Sequence, residues 1–434
     1  MNEHELPAWA LDGKLNEVEF ARYVLSAYPM IAVGKTLFDK NGAIWDMHII
    51  ESVILDCIAP YVTTNITKRV TQIIDTIKMI CAQGAAPIDT HKIHVANGTF
   101  YLSGRFTDDM DICINRLPVN YNKDAPPPVN WLSFLNELLE PEDILTLQEY
   151  MGYCLIPTNK AQKMMIMIGK GGEGKSRVGL ILRTLLGDNM FSGDVQKLEK
   201  SPFALANLEN KLLLLDDDMD MDALTKTNTI KSLVTLEDKT ELERKGKQST
   251  QGYLYTRLFL IGNGMLSSLH DRSYGFFRRQ IILQVKERKK ERMDDPYLID
   301  KMRSEAEGIL LWAIEGLQRL IANDYSFTIS DKTKQSLTEA IEDNNNIIQF
   351  MKSSGYINLE PKISASSKSI YHAYEVWCDD NSLKPLSSKT FVSILKDSAS
   401  EYGLVYSNNV PTPYGKLVRG FQNINVLVRP IGEF

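Results

Sequence analysis

The stretch Met164 to Ser176, MMIMIGKGGEGKS, constrains this chain more than any other. Apolar, β-compatible residues from Met164 to Gly169 run straight into Gly169-x-x-x-x-Gly174-Lys175-Ser176, and Arg177 to Leu186 (RVGLILRTLL) reads as a helix. This is the phosphate-loop spacing in its strand–loop–helix setting. Glycines at 169, 171, 172 and 174 let backbone N–H groups turn inward around phosphate oxygens with no Cβ in the way. Lys175 would reach the β- and γ-phosphates of ATP, the Ser176 hydroxyl would ligate Mg²⁺, and the helix start adds its positive end to the anion site. The residues expected to line the nucleotide are therefore Gly169, Gly171, Gly172, Glu173, Gly174, Lys175, Ser176 and Arg177.

Downstream residues extend the pattern. Lys211 to Asp218 (KLLLLDDD) puts acids at the end of a leucine run about forty residues after the loop, as a buried parallel strand with carboxylates at its ligand-facing end would. Asp216 would hold the water shell of Mg²⁺ and Asp217 would polarise the attacking water; a slip of one residue makes Asp217 and Asp218 the pair. Arg257 to Ile261 (RLFLI) is another buried strand ending in Gly262-Asn263, and Asn263 can hold the attacking water and sense the γ-phosphate. Between these strands, Ile230 to Thr250 becomes a dense charge run centred on Glu243-Arg244-Lys245-Gly246-Lys247, either a solvated loop or a hairpin tip that meets a DNA backbone. Arg278-Arg279 precede the apolar QIIL, as a salt-bridged structural pair or as a finger reaching a neighbouring subunit's nucleotide.

The 434 residues leave room for two to three domains, and 44% hydrophobic with 24% charged residues describes a globular chain rather than a disordered one. The net charge of −6 argues against a passive nucleic-acid coat while leaving one local basic surface open. Five scattered cysteines and six histidines supply no zinc spacing, so reduced thiols in a cytosol are expected. No run approaches the ~18 apolar residues of a membrane span, and the N-terminus lacks the pattern of a signal peptide.

Expected boundaries follow the composition. Residues 1–90 read as a mixed α+β extension, with a hairpin at Lys35 to Trp45 turning on Asn41-Gly42. Residues 91–155 contain a second hairpin on Asn97-Gly98, the proline-rich connector DAPPPV, and two helices broken at Glu140-Pro141. The ATPase core spans 156–325, a helical linker 326–360, and a winged helix 361–434, with Lys389 and Lys396 on its candidate recognition helix and Lys416 and Arg419 on its wing. The fold class expected is α/β: a P-loop, AAA+-like core with a parallel sheet, preceded by an α+β region and followed by helices and a winged helix.

The order of loop, LLLLDDD, I-K-S-L…E-D…E-R-K-G-K, FLIGN and FFRR between Gly169 and Arg279 resembles superfamily 3 helicases, specifically the helicase half of the phage and plasmid primase-helicase family related to poxvirus-type enzymes. GTFY (98–101), NRLPVNY (115–121), WLSFLNELL (131–139), QEYMGYC (148–154), IYHAYEVW (370–377) and SKTF (388–391) carry the resemblance over roughly residues 95 to 400. It implies a ring, a hexamer, with ATP between subunits, single-stranded DNA in the channel, 3′-to-5′ translocation, and replication of a mobile element in a bacterial cytoplasm. It assigns Lys175 and Ser176 to Walker A, Asp216 and Asp217 to Walker B, Asn263 to sensor 1, Arg279 (or Arg278) to the finger, and Lys231, Lys245 and Lys247, with Arg244 at the same tip, to the DNA path. Origin DNA and a separate primase, polymerase or initiator are the partners it implies, since the length ahead of the helicase leaves no room for a primase domain. Asp109-x-Asp111 imitates a metal-binding pair without such a domain around it. Other readings are an origin-binding initiator or loader, and an ATPase acting on protein partners.

Overall fold

The computed structural model describes residues 7–10, 15–34, 36–40, 42, 44–62, 64–84, 88–219, 227–263, 274–289, 291, 294–344, 346–411 and 415–428. The chain divides into two compact units, Met1–Met265 with Arg278–Lys334, and Leu266–Phe277 with Gln335–Phe434.

In the first unit the near-continuous apolar runs become strands buried on both faces. They are β1 (Met164–Gly169), β2 (Met190–Ser192), β3 (Leu213–Met219), β4 (Arg257–Asn263) and β5 (Gln280–Gln284). All pair in parallel, in the order β5-β1-β4-β3-β2. Strand β4, late in sequence, is thus inserted between the loop strand β1 and the acid strand β3. Gly169 and Asn263 are direct register partners. Ligands of such sheets bind beyond the carboxyl ends of the strands, and the order brings the ends of β1, β4 and β3 side by side there.

Helices α1 (Val129–Leu138) and α2 (Pro141–Tyr153) brace this sheet, separated where Pro141 occupies the first turn and cannot continue α1. Trp131, Phe134, Leu135 and Leu138 join Met165, Met167 and Phe259 in one buried core. Farther along, α3 (Lys175–Leu186) follows the glycine loop, α4 (Asn228–Thr235) lies between β3 and β4, and α5 (Ala306–Ala322) packs along α2. That last contact depends on small residues: a Cβ on Gly152 would sit 2.2 Å from the Ala313 carbonyl oxygen, and one on Gly316 2.4 Å from that of Gln148. Both obstacles are backbone, which cannot rotate away, so Gly152→Val is expected to destabilise by about 3 kcal/mol or more, read as a lower denaturant midpoint. An unchanged midpoint would mean that the two helices part without cost.

The N-terminal part has a separate core built from Phe20, Ile54, Ile73 and Ile77. Its antiparallel pair is Met30–Val33 with Thr36–Asp39, turning at Gly34 (φ +61), ahead of the expected hairpin on Asn41-Gly42. The latter is present in short form, through the antiparallel bridge Phe38–Ile44 and the bond from Trp45 N to Leu37 O at 2.9 Å, and Asn41 lies outside the described residues. The second hairpin forms one residue early, pairing Val95 with Gly98 across Ala96-Asn97. A third strand passes so close to Gly98 that a Cβ there would meet the Thr107 carbonyl oxygen at 2.1 Å. In the same region the Asp111 carboxylate accepts from Lys92 Nζ at 2.9 Å, so it serves an ion pair.

In the second unit, α6 (Ser367–Asp380) and α7 (Ser388–Asp397) start on the serine caps Ser366 and Ser387. A three-stranded antiparallel sheet follows, with Leu417–Gln422 between Ser364–Ser366 and Val405–Pro411. Tyr374 stacks on Phe391 at 4.5 Å between ring centres, and Phe350, Trp377 and Phe421 complete the core. Among the described residues no helix is long and apolar enough to cross a membrane.

Candidate functional site

After β1 the chain turns through Gly171, Gly172 and Gly174 at φ +111, +81 and +105, where a Cβ would be strained. The loop's amides and Lys175 converge on an anion supplied by the chain itself. Lys170 and Gly171 donate their N–H groups to Glu173 Oε1 at 2.5 and 2.8 Å, and Lys175 Nζ donates to Oε2 at 2.8 Å. The Glu173 and Lys175 side chains are only 3% and 7% exposed. Burial pushes the Glu173 carboxyl up, but the Lys175 hydrogen bond and the backbone amides outweigh it and hold the group below the usual glutamate range.

Asn263, ending β4 beside the loop, accepts from Lys175 Nζ at 3.4 Å. The acids of β3 split between the faces of the sheet. Leu215 lies against α3, where a Cβ on Gly179 would come within 2.7 Å of it. Side chains alternate along a strand, so Asp217 shares the Leu215 face and its carboxylate hydrogen-bonds Ser176. Asp216 points the other way: it is buried, and its Oδ2 accepts from Val195 N at 2.8 Å. A register shift against β4, from Asp216–Leu260 to Met219–Gly262, adds one residue on the β3 side and turns the exposed Asp217-Asp218 pair outward. Burial raises both Asp216 and Asp217 above the ordinary aspartate range, offset in part by Val195 for the first and by Ser176 for the second. The geometry brings Asp217 to Ser176 beside the loop and ties Asp216 to Val195 on the other face.

One cation beside the loop escaped sequence reasoning. Past β5 the chain stays alongside β1, with Val285 N donating to Ile168 O at 3.0 Å. This places Lys170 and Glu287 in an exposed ion pair and sets Arg288 Nη1 3.5 Å from the Gly172 carbonyl oxygen, while its Nη2 holds Asp294 at 2.9 Å. In sequence, KERKK reads only as a solvated charge run. Arg177 lies near the loop as well, its Nη1 3.3 Å from where a Gly174 Cβ would be.

Arg278 and Arg279 lie at the other end of the sheet. Gln280 pairs with Met164, and the Arg279 carbonyl accepts from Met164 N at 2.8 Å. Five residues of β1, roughly 17 Å at strand rise, separate them from the loop of their own chain.

The charge run is a hairpin, Lys239–Arg244 with Lys247–Tyr253, turning at Lys245-Gly246 with Gly246 at φ +72. Lys245 and Lys247 are exposed at its tip. Arg244 is tied back to Glu209 (2.5 Å) and Thr250 (2.8 Å). Lys231 is half-buried on α4. In the second unit Lys389 is exposed on α7, whereas the Lys396 ammonium lies 3.6 Å from the centre of the Tyr406 ring.

Two family models match parts of the chain: a family of unknown function (DUF5906) over residues 167–279, and the poxvirus D5 protein-like family over residues 342–425. Among solved structures, the A form of the apo NrS-1 C-terminal region (305-718) is 12% identical, covers 94% of this chain and 99% of that one, and has a TM-score of 0.51. A second apo structure of the same region is 13% identical over 95% of this chain and 99% of that one, with a TM-score of 0.47. The chain thus shares the fold of the NrS-1 C-terminal region, and residues 342–425, later in sequence than the parallel sheet, match the poxvirus D5 protein-like family.

Proposed function

We propose that this chain is an ATP-driven DNA helicase of the superfamily 3 type, acting in replication of a phage, plasmid or other mobile element. The observation that carries the reading is the convergence of the glycine loop, the Ser176–Asp217 pair and Asn263 at adjacent strand ends. The cradle fits a phosphate because it already closes on a carboxylate. The Ser176–Asp217 pair supplies a hydroxyl and a carboxylate oxygen, the hard donors Mg²⁺ takes, with phosphate oxygens and water to complete the shell. Bound there, the ion would neutralise charge between the β- and γ-phosphates.

Each side chain then has a part. The loop amides and Lys175 hold the phosphates; Ser176 and Asp217 hold the metal; Asp218 orients the attacking water, and Asn263 positions it from β4. Arg279, at the opposite end of the sheet from its own loop, acts on a neighbour's nucleotide in a ring, with Arg278 beside it. Lys245 and Lys247 at the hairpin tip track the single strand in the channel. The second unit, read as a winged helix, supplies Lys389 for a duplex or origin contact. The poxvirus D5 protein-like match in that unit supports the replication context.

ATP turnover with and without single-stranded DNA, alongside unwinding of a 3′-tailed duplex, tests the reading. Stimulated turnover and strand displacement are expected, and Lys245→Ala with Lys247→Ala should remove most of the stimulation while basal turnover persists. Turnover without unwinding would make the chain an initiator or loader. Indifference to DNA would point to a motor working on protein, and stimulation unchanged in the double variant would take the hairpin off the DNA path.

A further inference from the structure

The loop spacing leaves position 173 unspecified: glycines, Lys175 and Ser176 make the anion site whatever residue stands there. A carboxylate works against such a site, because a fixed negative charge inside a cradle of N–H donors repels the next anion to arrive. Yet the Glu173 side chain is buried rather than turned into solvent. Its two oxygens take the amides of Lys170 and Gly171 and the ammonium of Lys175, and a Cβ on Gly169 would lie 2.8 Å from Oε1 and 2.9 Å from Lys175 Nζ. The carboxylate is therefore inside the loop rather than at its rim.

We propose that Glu173 is a resident anion gate: its carboxylate fills the position a nucleotide phosphate takes, and the phosphate enters only by displacing it. This rests on the nucleotide-binding reading above. The donors cannot serve both anions. Lys175 has three N–H groups, but two of the contacts holding Glu173 are single backbone donors, each committed to one acceptor. The gate makes the binding-competent loop a minor form of the free protein, and apparent affinity falls by the fraction that is open. Release of Glu173 frees Lys175 in the same movement, so loop opening and delivery of the phosphate-binding cation are one event.

The test is calorimetric titration of the full chain with ADP in the presence of Mg²⁺, for wild type, Glu173→Gln and Glu173→Asn. Circular dichroism confirms each fold. Glutamine keeps the shape and removes the charge, and asparagine also shortens the reach, so one variant stands in should the other fail to fold. Both are expected to bind ADP about ten-fold tighter or more than wild type, and inorganic pyrophosphate should gain in the same direction, because the displaced contact is with phosphate and not with the base. ADP binding to wild type with equal or weaker binding to the folded variants overturns the gate and leaves the nucleotide site standing. Absence of ADP binding in all three proteins overturns the nucleotide reading, and the gate with it.

Discussion

Lys175→Ala is expected to lower ATP turnover by at least about a hundred- to a thousand-fold, the cost of removing one preorganised charge from a phosphoryl-transfer site. The side chain is 7% exposed, and its ammonium is held between Glu173 and Asn263, so alanine removes a cation already aimed into the loop. It also takes the ammonium away from the buried Glu173 carboxylate. Loss of one member of a buried pair is destabilising, so a lower midpoint in thermal unfolding should accompany the lost turnover. The broad core around β1, with Met165, Met167 and Phe259 fully buried, should keep the variant folded at 25 °C. Turnover within a few-fold of wild type would mean that hydrolysis does not run through this loop.

The second large effect separates two neighbouring acids. Asp217→Asn is expected to cut Mg²⁺-dependent turnover by about a hundred-fold or more, because it weakens the metal position shared with Ser176. Asp216→Asn should have a much smaller effect on turnover, within about ten-fold, because the amide oxygen can still accept from Val195 N–H. Its signature is a stability loss of about 1–2 kcal/mol, the worth of a charge-assisted bond weakened to a neutral one. Parallel measurement of turnover and urea midpoint for both variants decides the matter. The opposite ranking would return the metal role to Asp216.

That ranking turns on something the leucine run did not contain. LLLLDDD identifies a buried strand with acids at its end, but alternation sends consecutive carboxylates to opposite faces, and only the packing of Leu215 on Gly179 tells which face meets the loop. The bulge at Asp217-Asp218 then turns the end of the strand in a way that no local propensity reports. The same holds for Arg288, drawn beside Gly172 by the pairing of β5 with β1, and for Arg279, carried by that pairing to the far end of the sheet.

What the sequence determined by itself is the set of local structures whose causes are local. Glycines that tolerate positive φ made the loop, Pro141 separated two helices, unbroken apolar runs became strands buried on both faces, and Asn263 ended one of them. Tertiary structure decided the strand order that inserts β4 between β1 and β3 and the face each acid presents. The physical reason is range. Backbone sterics and side-chain periodicity act over a few residues, whereas register and sheet order depend on partners about 40 to 120 residues away along the chain.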